Sequence, residues 1–595
     1  MKKGWKLAVP LLASVTLLAS CGNNGNNSNK SSSNKASTTN EMVKVKDTIE
    51  RKGKEIKGGT LKYAIVSDSP IKGILCPSLY QDGTDADVLQ FMEGELFTKG
   101  DDLHWTNDGF AKQYIDPETK TVKVTFPKDA KWSDGKPMTI DDYIFTHEFI
   151  ANKDYPGVRY PSYVGAIEGA EEYHQGKSDH ISGIEKVDDQ TVILHYKEMT
   201  PSIKIAGGSL LGQCIPKHIF EKIPMDKVME SDAARKNPVG FGPYKLESMI
   251  PGESFTFVRN EYYYAGKPTL NKVIAEVVSS KNIVSEMENG NYDIAGMPSD
   301  KFDSYQNAKA FDILGTKSQA WNYIAFKFGK WDKDKGEVAP DPDAKMNNKS
   351  LRQAMAMAVD NDLIAAKFYK GTRTGGNSLI PPFFAENNGQ EPIKFDPEGA
   401  KKLLDQAGYK DKDGDGFRED PNGKKLVIHY ATMAGGENDQ TLSLAYIKWW
   451  NEIGLDVKLT SGRPIELNSF YDKVEHDDKD IDLYAAAWGS GNDPDPTGFW
   501  GRRSQFNMSR YASEENDRLL ADISSQASFD DKHRMEAFDK WQRFTKDECY
   551  AFPTAYKISL TAVNKRIKYF DVKKDNYPDK GSWENITFVQ KDRVK

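Results

Sequence analysis

Apolar residues recur along this chain in short runs whose period switches between two and about three and a half. The run Leu61-Lys62-Tyr63-Ala64-Ile65-Val66 predicts a strand. Val122, Val124 and Phe126 alternate, as do Val192, Leu194 and Tyr196, and later Leu455, Val457 and Leu459. Ile481 to Trp488 is a short apolar stretch of the kind a buried strand requires. Helical stretches lie between these strands. Asp134-Gly135 marks a turn; Thr139 then stands as an N-cap with Asp142 at the capping-box distance, ahead of Tyr143, Phe145, Phe149 and Ile150. Asn348 or Ser350 caps a helix through Leu351, Ala354, Met355 and Ala358. Another opens at Pro397 and stops at Gly408, and Leu442 to Ile453 stops at Gly454. Short strands alternating with helices predict an α/β fold rather than a sandwich or a bundle.

The start of the chain follows different rules. Lys2, Lys3 and Lys6 precede an apolar run from Leu7 to Leu18, too short to span a bilayer comfortably. Residues 1–20 therefore predict a secretory signal, and Leu18-Ala19-Ser20-Cys21 resembles the bacterial lipobox, in which the Cys becomes the acylated first residue. Two acyl chains on Cys21 give stable membrane anchoring. Residues 22–40 carry no large apolar side chain and predict a flexible tether, with order expected from about Lys57-Gly58-Gly59-Thr60 onward.

Composition refines this picture. The 595 residues leave room for several lobes, and 11 Trp, 27 Tyr and 28 Phe mark a folded chain although only 38% of residues are hydrophobic. The formal charge of −7 falls to −10 once the leader, with three lysines and no acid, is removed. That balance argues against nucleic acid as the partner. Besides the lipobox Cys21, the cysteines Cys76, Cys214 and Cys549 form an odd set, so buried thiols are expected rather than a disulfide framework.

Catalytic patterns fail at specific residues. His147-Glu148 begins a zincin motif, but Ala151 occupies the second His position. Gly207-Gly208-Ser209 lacks the closing Gly of a nucleophile elbow, where Leu211 stands. Gly371 to Ser378 spaces like a phosphate loop but has Asn377 in place of the Lys. Asp411-Lys412-Asp413-Gly414-Asp415-Gly416 begins as a calcium loop, yet Asn422 holds the position of the bidentate Glu; a turn between helix and strand explains it equally well. The expectation is a protein with no catalytic residues, metal or cofactor.

Several segments in order resemble one family, the extracytoplasmic oligopeptide-binding proteins of bacterial ABC importers (family 5 solute-binding proteins). They are residues 122–145 with Trp132, Asp134, Gly135 and Asp142; 237–244, NPVGFGPY; 260–264, NEYYY; Leu351-Arg352-Gln353-Ala354; 377–382; and 400–408. Length and Ser67-Asp68-Ser69-Pro70 look closest to the long oligopeptide receptors of lactic-acid bacteria. The resemblance implies a two-lobed periplasmic-binding-protein-like fold with a hinge and an extra subdomain in the N-terminal half. The implied division is signal 1–20, lipidated Cys and tether 21–57, first lobe 58–97 and 208–317, added subdomain 98–207, second lobe 318–547, and a return to the first lobe over 548–595. It also implies oligopeptides and an ABC permease as partners. The chain is expected to act as a monomer, held by its lipid on the outer face of a Gram-positive cytoplasmic membrane.

A receptor for many peptides must read the backbone they share, in a wet cleft with aromatic walls. Trp321-Asn322-Tyr323 lies near the expected hinge, and Trp488 opens onto Gly489-Ser490-Gly491-Asn492-Asp493-Pro494-Asp495, a glycine-rich loop at the end of a buried strand. Trp321, Asn322, Tyr323, Trp488, Gly489, Ser490, Asp493 and Asp495 are therefore the candidate ligand-binding residues. In the family an acid soon after this Trp often pairs with the ligand's terminal ammonium; here Gly491 stands at that place, with Asp493 and Asp495 the nearest acids. Competing readings are the same fold with a signalling peptide, sugar oligomer or metal chelate as ligand, a surface hydrolase, and a surface chaperone or adhesin.

Overall fold

A computed structural model describes residues 42–434, 438–573 and 582–595 of the protein. The leader, Cys21 and residues 22–40 lie outside the described residues. Along the chain come β1 (Thr48–Glu50), β2 (Thr60–Val66), β3 (Lys112–Asp116), β4 (Thr121–Thr125), β5 (Ile184–Lys186), β6 (Thr191–His195), β7 (Tyr244–Ile250), β8 (Ser254–Arg259), β9 (Lys272–Val278), β10 (Ile294–Met297) and β11 (Phe311–Phe326). There follow β12 (Arg373–Gly375), β13 (Val427–Ala434), β14 (Asp456–Leu459), β15 (Leu483–Gly489), β16 (Ala551–Asn564) and β17 (Tyr569–Asp571). The helices used below are α1 (Ile140–Ala151), α2 (Lys349–Met357), α3 (Pro397–Gln406), α4 (Asp439–Glu452) and α5 (Asp531–Glu548).

Local signals act where the sequence places them. The Asp142 carboxylate accepts from Thr139 N at the start of α1, Asn348 Oδ1 accepts from Leu351 N at the start of α2, and Asp396 accepts from Gly399 N ahead of α3. Each satisfies a donor that a helix start leaves open.

One 12-stranded sheet runs in the order β14-β13-β15-β11-β16-β10-β2-β9-β8-β7, with β12 paired to β16 and the short strand Ile465–Glu466 paired to β13. β2 is parallel to β9 and β10, and β13 is parallel to β14 and β15. β11 and β16 join these two parallel blocks. They pair antiparallel as Phe311–Lys317 against Ile558–Asn564, and again as Trp321–Ala325 against Ala551–Tyr556. Between the two blocks Ser318, Gln319 and Ala320 oppose Lys557 alone. This bulge bends the ladder where the chain passes from one lobe to the other.

The apolar side chains divide accordingly. One core holds Trp321, Tyr323, Leu351, Trp450, Tyr484, Trp541 and Phe552. Two others cover opposite faces of the first lobe's strands, one around Leu61, Ile65, Phe255 and Val563, the other around Ala64, Ile283, Phe311 and Leu560. A fourth wraps the antiparallel sheet β3-β4-β6-β5 and α1.

The cores meet at the bulge: Cys549, Tyr550, Phe552 and Tyr556 pack with Trp321 and Trp541, whereas Ile558 and Leu560 pack with Ala64 and Phe311. β16 runs unbroken through both lobes, and no change of composition marks the passage. The subdomain's core runs from Ile74 to Phe241, beyond 98–207, because Leu210, Leu211, Ile215, Phe220 and Val228 pack there and not in the first lobe. Residues 42–57 are structured rather than tether. β1 pairs with β17, Val43 N donates to Gly371 O at 2.8 Å, and Ile56 N donates to Phe588 O at 2.8 Å. Cys76, Cys214 and Cys549 are buried free thiols.

A buried carboxylate ties the first lobe together. Asp293, fully buried, accepts Lys62 N at 2.7 Å and Arg566 Nη2 at 2.6 Å, with Arg593 Nε at 3.1 Å. Removing one partner of such a cluster strands the others in a low-dielectric site. Asp293→Ala is expected to cost about 3–5 kcal/mol in urea denaturation, most of it from uncompensated Arg566.

Candidate functional site: the cleft at the strand crossing

A cavity of about 1190 Å³ opens at the bulge. Gly315–Lys317 and Ile558–Ser559 form its first-lobe wall, and Asp101–His104 reach in from the subdomain. Pro382–Glu386, Gly489, Gly491, Asn492, Pro494 and the start of α5 form the second-lobe wall. The bulge leaves Ser318 and Gln319 outside both strand ladders, at this wall. Gln319 O accepts Ser490 Oγ at 3.2 Å, and its side-chain amide donates to Asn492 Oδ1. The second lobe also touches the subdomain on the far side: Gln526 Nε2 donates to Pro117 O at 3.4 Å, and Lys204 Nζ lies 5.1 Å from the Phe529 ring centroid.

The sequence-predicted residues separate into three groups. Gly489 lines the large cavity. Ser490 and Trp321 line a small adjoining pocket with Pro494, Phe499 and Trp500. Trp321 is 2% exposed, and its Nε1 has no hydrogen-bond partner among the described residues. Trp488, opposite Trp321 in the ladder, packs half-buried against Phe499 at 5.1 Å, Phe506 at 5.6 Å and Tyr471 at 6.4 Å. Tyr323 lies deep in the second core between Tyr484 and Trp500. Asn322 alternates to the other sheet face, where it accepts from Arg373 at 3.2 Å.

The two acids hold structural contacts. Asp495 accepts Thr497 N at 2.9 Å and Ser524 Oγ at 2.7 Å, which pins the Pro-flanked turn. Asp493 accepts Asp495 N at 3.0 Å and lies 3.8 Å from Arg534 Nη2. Burial, then the like charge of Asp495, pushes the Asp493 carboxyl up to about 6.

Arg534 escaped the sequence reading. It lines the large cavity, is 7% exposed, and its Nη1 and Nη2 lack hydrogen-bond partners among the described residues. Its Nε lies 3.4 Å from Glu386 Oε1 and its guanidinium 4.9 Å from the Phe538 ring centroid. Nothing local distinguishes this Arg from the other basic residues of an amphipathic helix.

A second cavity of about 370 Å³ shares Lys99 and Asn492 with the first. Its wall includes Glu93, whose carboxyl burial, and secondarily the charge of Glu95, pushes up to about 8. Glu93 is held by close main-chain approach: Gly242 N donates to Met92 O at 3.0 Å and Tyr244 N to Phe91 O at 3.1 Å. A Cβ on Gly240 would collide with Met92 O, and one on Gly242 would lie 2.5 Å from Glu93 O. The glycines of 237–244 thus let two segments touch. Trp132 and Asp142 are likewise structural, joined at 3.3 Å within the subdomain.

The Asp411 loop lines neither cavity. Asp411, Asp413 and Glu419 bring carboxylate oxygens within 4.8 Å of one another, while Asp415 pairs with Lys425 at 2.9 Å. Asp411 accepts Gly414 N and Gly416 N, as an acid stabilising a turn does.

The architecture, two cores sharing one ladder through two strands with a cavity at the crossing, defines a class of hinged two-lobed α/β binding proteins. Residues 107–510 match the family of bacterial extracellular solute-binding proteins, family 5 Middle, and the chain belongs to that family. It is 33% identical over 582 residues to the oligopeptide-binding protein OppA of Lactococcus lactis subsp. cremoris (strain SK11), covering 94% of this chain and 95% of that one. Among solved structures it is similar to lactococcal OppA complexed with an endogenous peptide in the closed conformation. There the TM-score is 0.80 and the identity 31%, over 89% of this chain and 100% of the other. The fold is shared with NikZ from Campylobacter jejuni in complex with Ni(L-His), at a TM-score of 0.67 and 21% identity, over 86% of this chain and 94% of that one. Among the described residues no helix is long and apolar enough to cross a membrane.

Glu93 sets a sign for pH dependence. Its carboxyl titrates near the ordinary 4.5 when unfolded and near 8 when folded, so the folded chain holds the extra proton between these values. Its contribution to stability is therefore lost as pH rises from about 5 to about 8. Thermal unfolding of wild type and E93Q across that range should diverge, the wild type falling relative to the variant as pH rises.

Proposed function

We propose that this protein captures oligopeptides outside the cell and delivers them to an ABC permease. The observation that carries the reading is the cavity at the bulge, between lobes that share two strands, in a chain 33% identical over 94% of its length to a protein named for oligopeptide binding. Ligand closes the lobes by bending β11 and β16 at Ser318–Ala320 and Lys557, so a bound peptide stabilises the closed state. In this reading 42–57 and the C-terminal return belong to the first lobe, the subdomain extends to about residue 241, and the second lobe ends before Lys557. The ligand lies along Gly489, Ser490 and the unladdered Ser318–Gln319, with Trp321 and Trp488 backing the wall and Asp493, beside Arg534, adjusting its charge. Asp495, Asn322 and Tyr323 support the wall rather than touch the ligand. The protein binds and releases without covalent change, and acts as a monomer.

The chain from residue 41 onward, purified from a bacterial host, should carry peptides detectable by mass spectrometry, and after their removal should give heat with a random nonapeptide pool. Ligand at 100 times its Kd should add about 2.7 kcal/mol of stability. No peptide and no heat sinks the proposal, peptide cleavage during incubation would make it a hydrolase, and a response to one ligand alone would make it a narrow receptor.

Cys21 carries the anchor in this reading, on the outer face of a Gram-positive cytoplasmic membrane. Cys21→Ala should move the protein from the membrane fraction to the medium and abolish labelling by radioactive palmitate.

A further inference from the structure

The side cavity is the strongest feature that peptide capture in the main cleft leaves unused. At about 370 Å³ it suits one long side chain with its water rather than a length of peptide. Its walls are aromatic: Trp105, Tyr163, Tyr263 and Tyr264 enclose it. Trp105 Nε1 is buried without a hydrogen-bond partner among the described residues. Glu93 stands in this wall as a carboxyl with no hydrogen bond or ion pair among the described residues, although burial is the first influence on its titration. Arg159, the cation that acts on Glu93, sits behind the wall of this cavity: its guanidinium stacks 4.5 Å from the ring centroid of the lining Tyr80 and donates to Tyr80 O at 2.8 Å.

A half-buried carboxyl and ring faces share one electrostatic preference. Both favour a cation, the carboxylate by its charge and the rings by their negative faces. A neutral apolar group would leave Glu93 desolvated without reward, and an anion would face Glu93, Glu95 and Glu584 with Lys99 as the one lining cation among the described residues. The cavity reaches the main cleft through Lys99 and Asn492, so a group entering it can belong to a ligand lying in that cleft.

Resting on the peptide-receptor reading, we infer that the Glu93 cavity is a subsite for a ligand's cationic group, an ammonium or guanidinium, held by the carboxylate and by the rings of Trp105, Tyr163, Tyr263 and Tyr264. The close approach at Gly240 and Gly242 fixes the segment that carries Glu93, so the carboxyl is positioned before the ligand arrives. Burial pushes the Glu93 carboxyl up to about 8, and an arriving cation supplies the counter-charge that favours its ionised form. Glu95 opposes that ionisation and Arg159 assists it.

The test uses nonapeptides of alanine and glycine carrying a single lysine at each position in turn, the same peptides with norleucine in its place, and N-acetylated forms of both. Affinities come from calorimetry on the ligand-free wild type and E93Q. A lysine side chain in the subsite gives one position at which lysine binds about tenfold tighter than norleucine, and E93Q brings that ratio close to one. A terminal ammonium in the subsite gives instead a tenfold loss on acetylation that E93Q removes. Either pattern supports the subsite and says which source fills it. Equal affinities throughout in the wild type, or a preference that persists in E93Q, overturn the subsite and leave peptide capture standing. Failure of every peptide to bind the wild type overturns the receptor reading and the subsite with it.

Discussion

The antiparallel pairing of β11 with β16 is the constraint on which the rest of the molecule depends. Two parallel blocks of strands, one between the two cores of the first lobe and one in the core of the second, are joined by these two strands, which are long enough to belong to both. A bulge of three residues against one interrupts the pairing without ending it. The pairing resumes on both sides of the bulge and shifts once more between Asn322 and Tyr323, where Thr554 has no partner in β11. The large cavity opens at the three-residue bulge because the side chains flanking a bulge cannot pack as they do in a regular ladder.

Much of the fold was legible because it is governed by neighbours in sequence. Asp142 and Asn348 cap the helices that follow them, and Pro397 and Gly408 bracket α3. The expected helix over 442–453 starts slightly earlier, at Asp439. What escaped is governed by distant partners. β1 is three residues long and exists through β17, more than 500 positions away, so Thr48–Glu50 reads as linker until the partner is known. The passage of β16 between cores leaves no local mark, since Tyr556 and Ile558 are both buried although they serve different lobes.

The site was less legible than the fold for a related reason. Alternation put Trp321 and Tyr323 on one face and Asn322 on the other, which the triplet in sequence conceals. The glycine-rich loop after Trp488 was visible from composition, and its Gly489 and Gly491 do line the cavity. Its acids turned inward to a Ser, an Arg and the main chain, as Pro-flanked Asp residues in tight turns do. Arg534 and Glu93 carry no sequence signature at all. Each matters because of where a distant segment places it, Arg534 at the start of α5 and Glu93 against the glycines of 237–244.

The first described residues touch the chain at its axis of bending. Val43 N bonds to Gly371 O, just ahead of β12, and Lys46 pairs with Leu314 in β11, a few residues from the bulge. A leash fastened near a pivot exerts almost no torque on either arm. In the reading proposed above, an attachment upstream of residue 42 would leave both lobes free to open and shut.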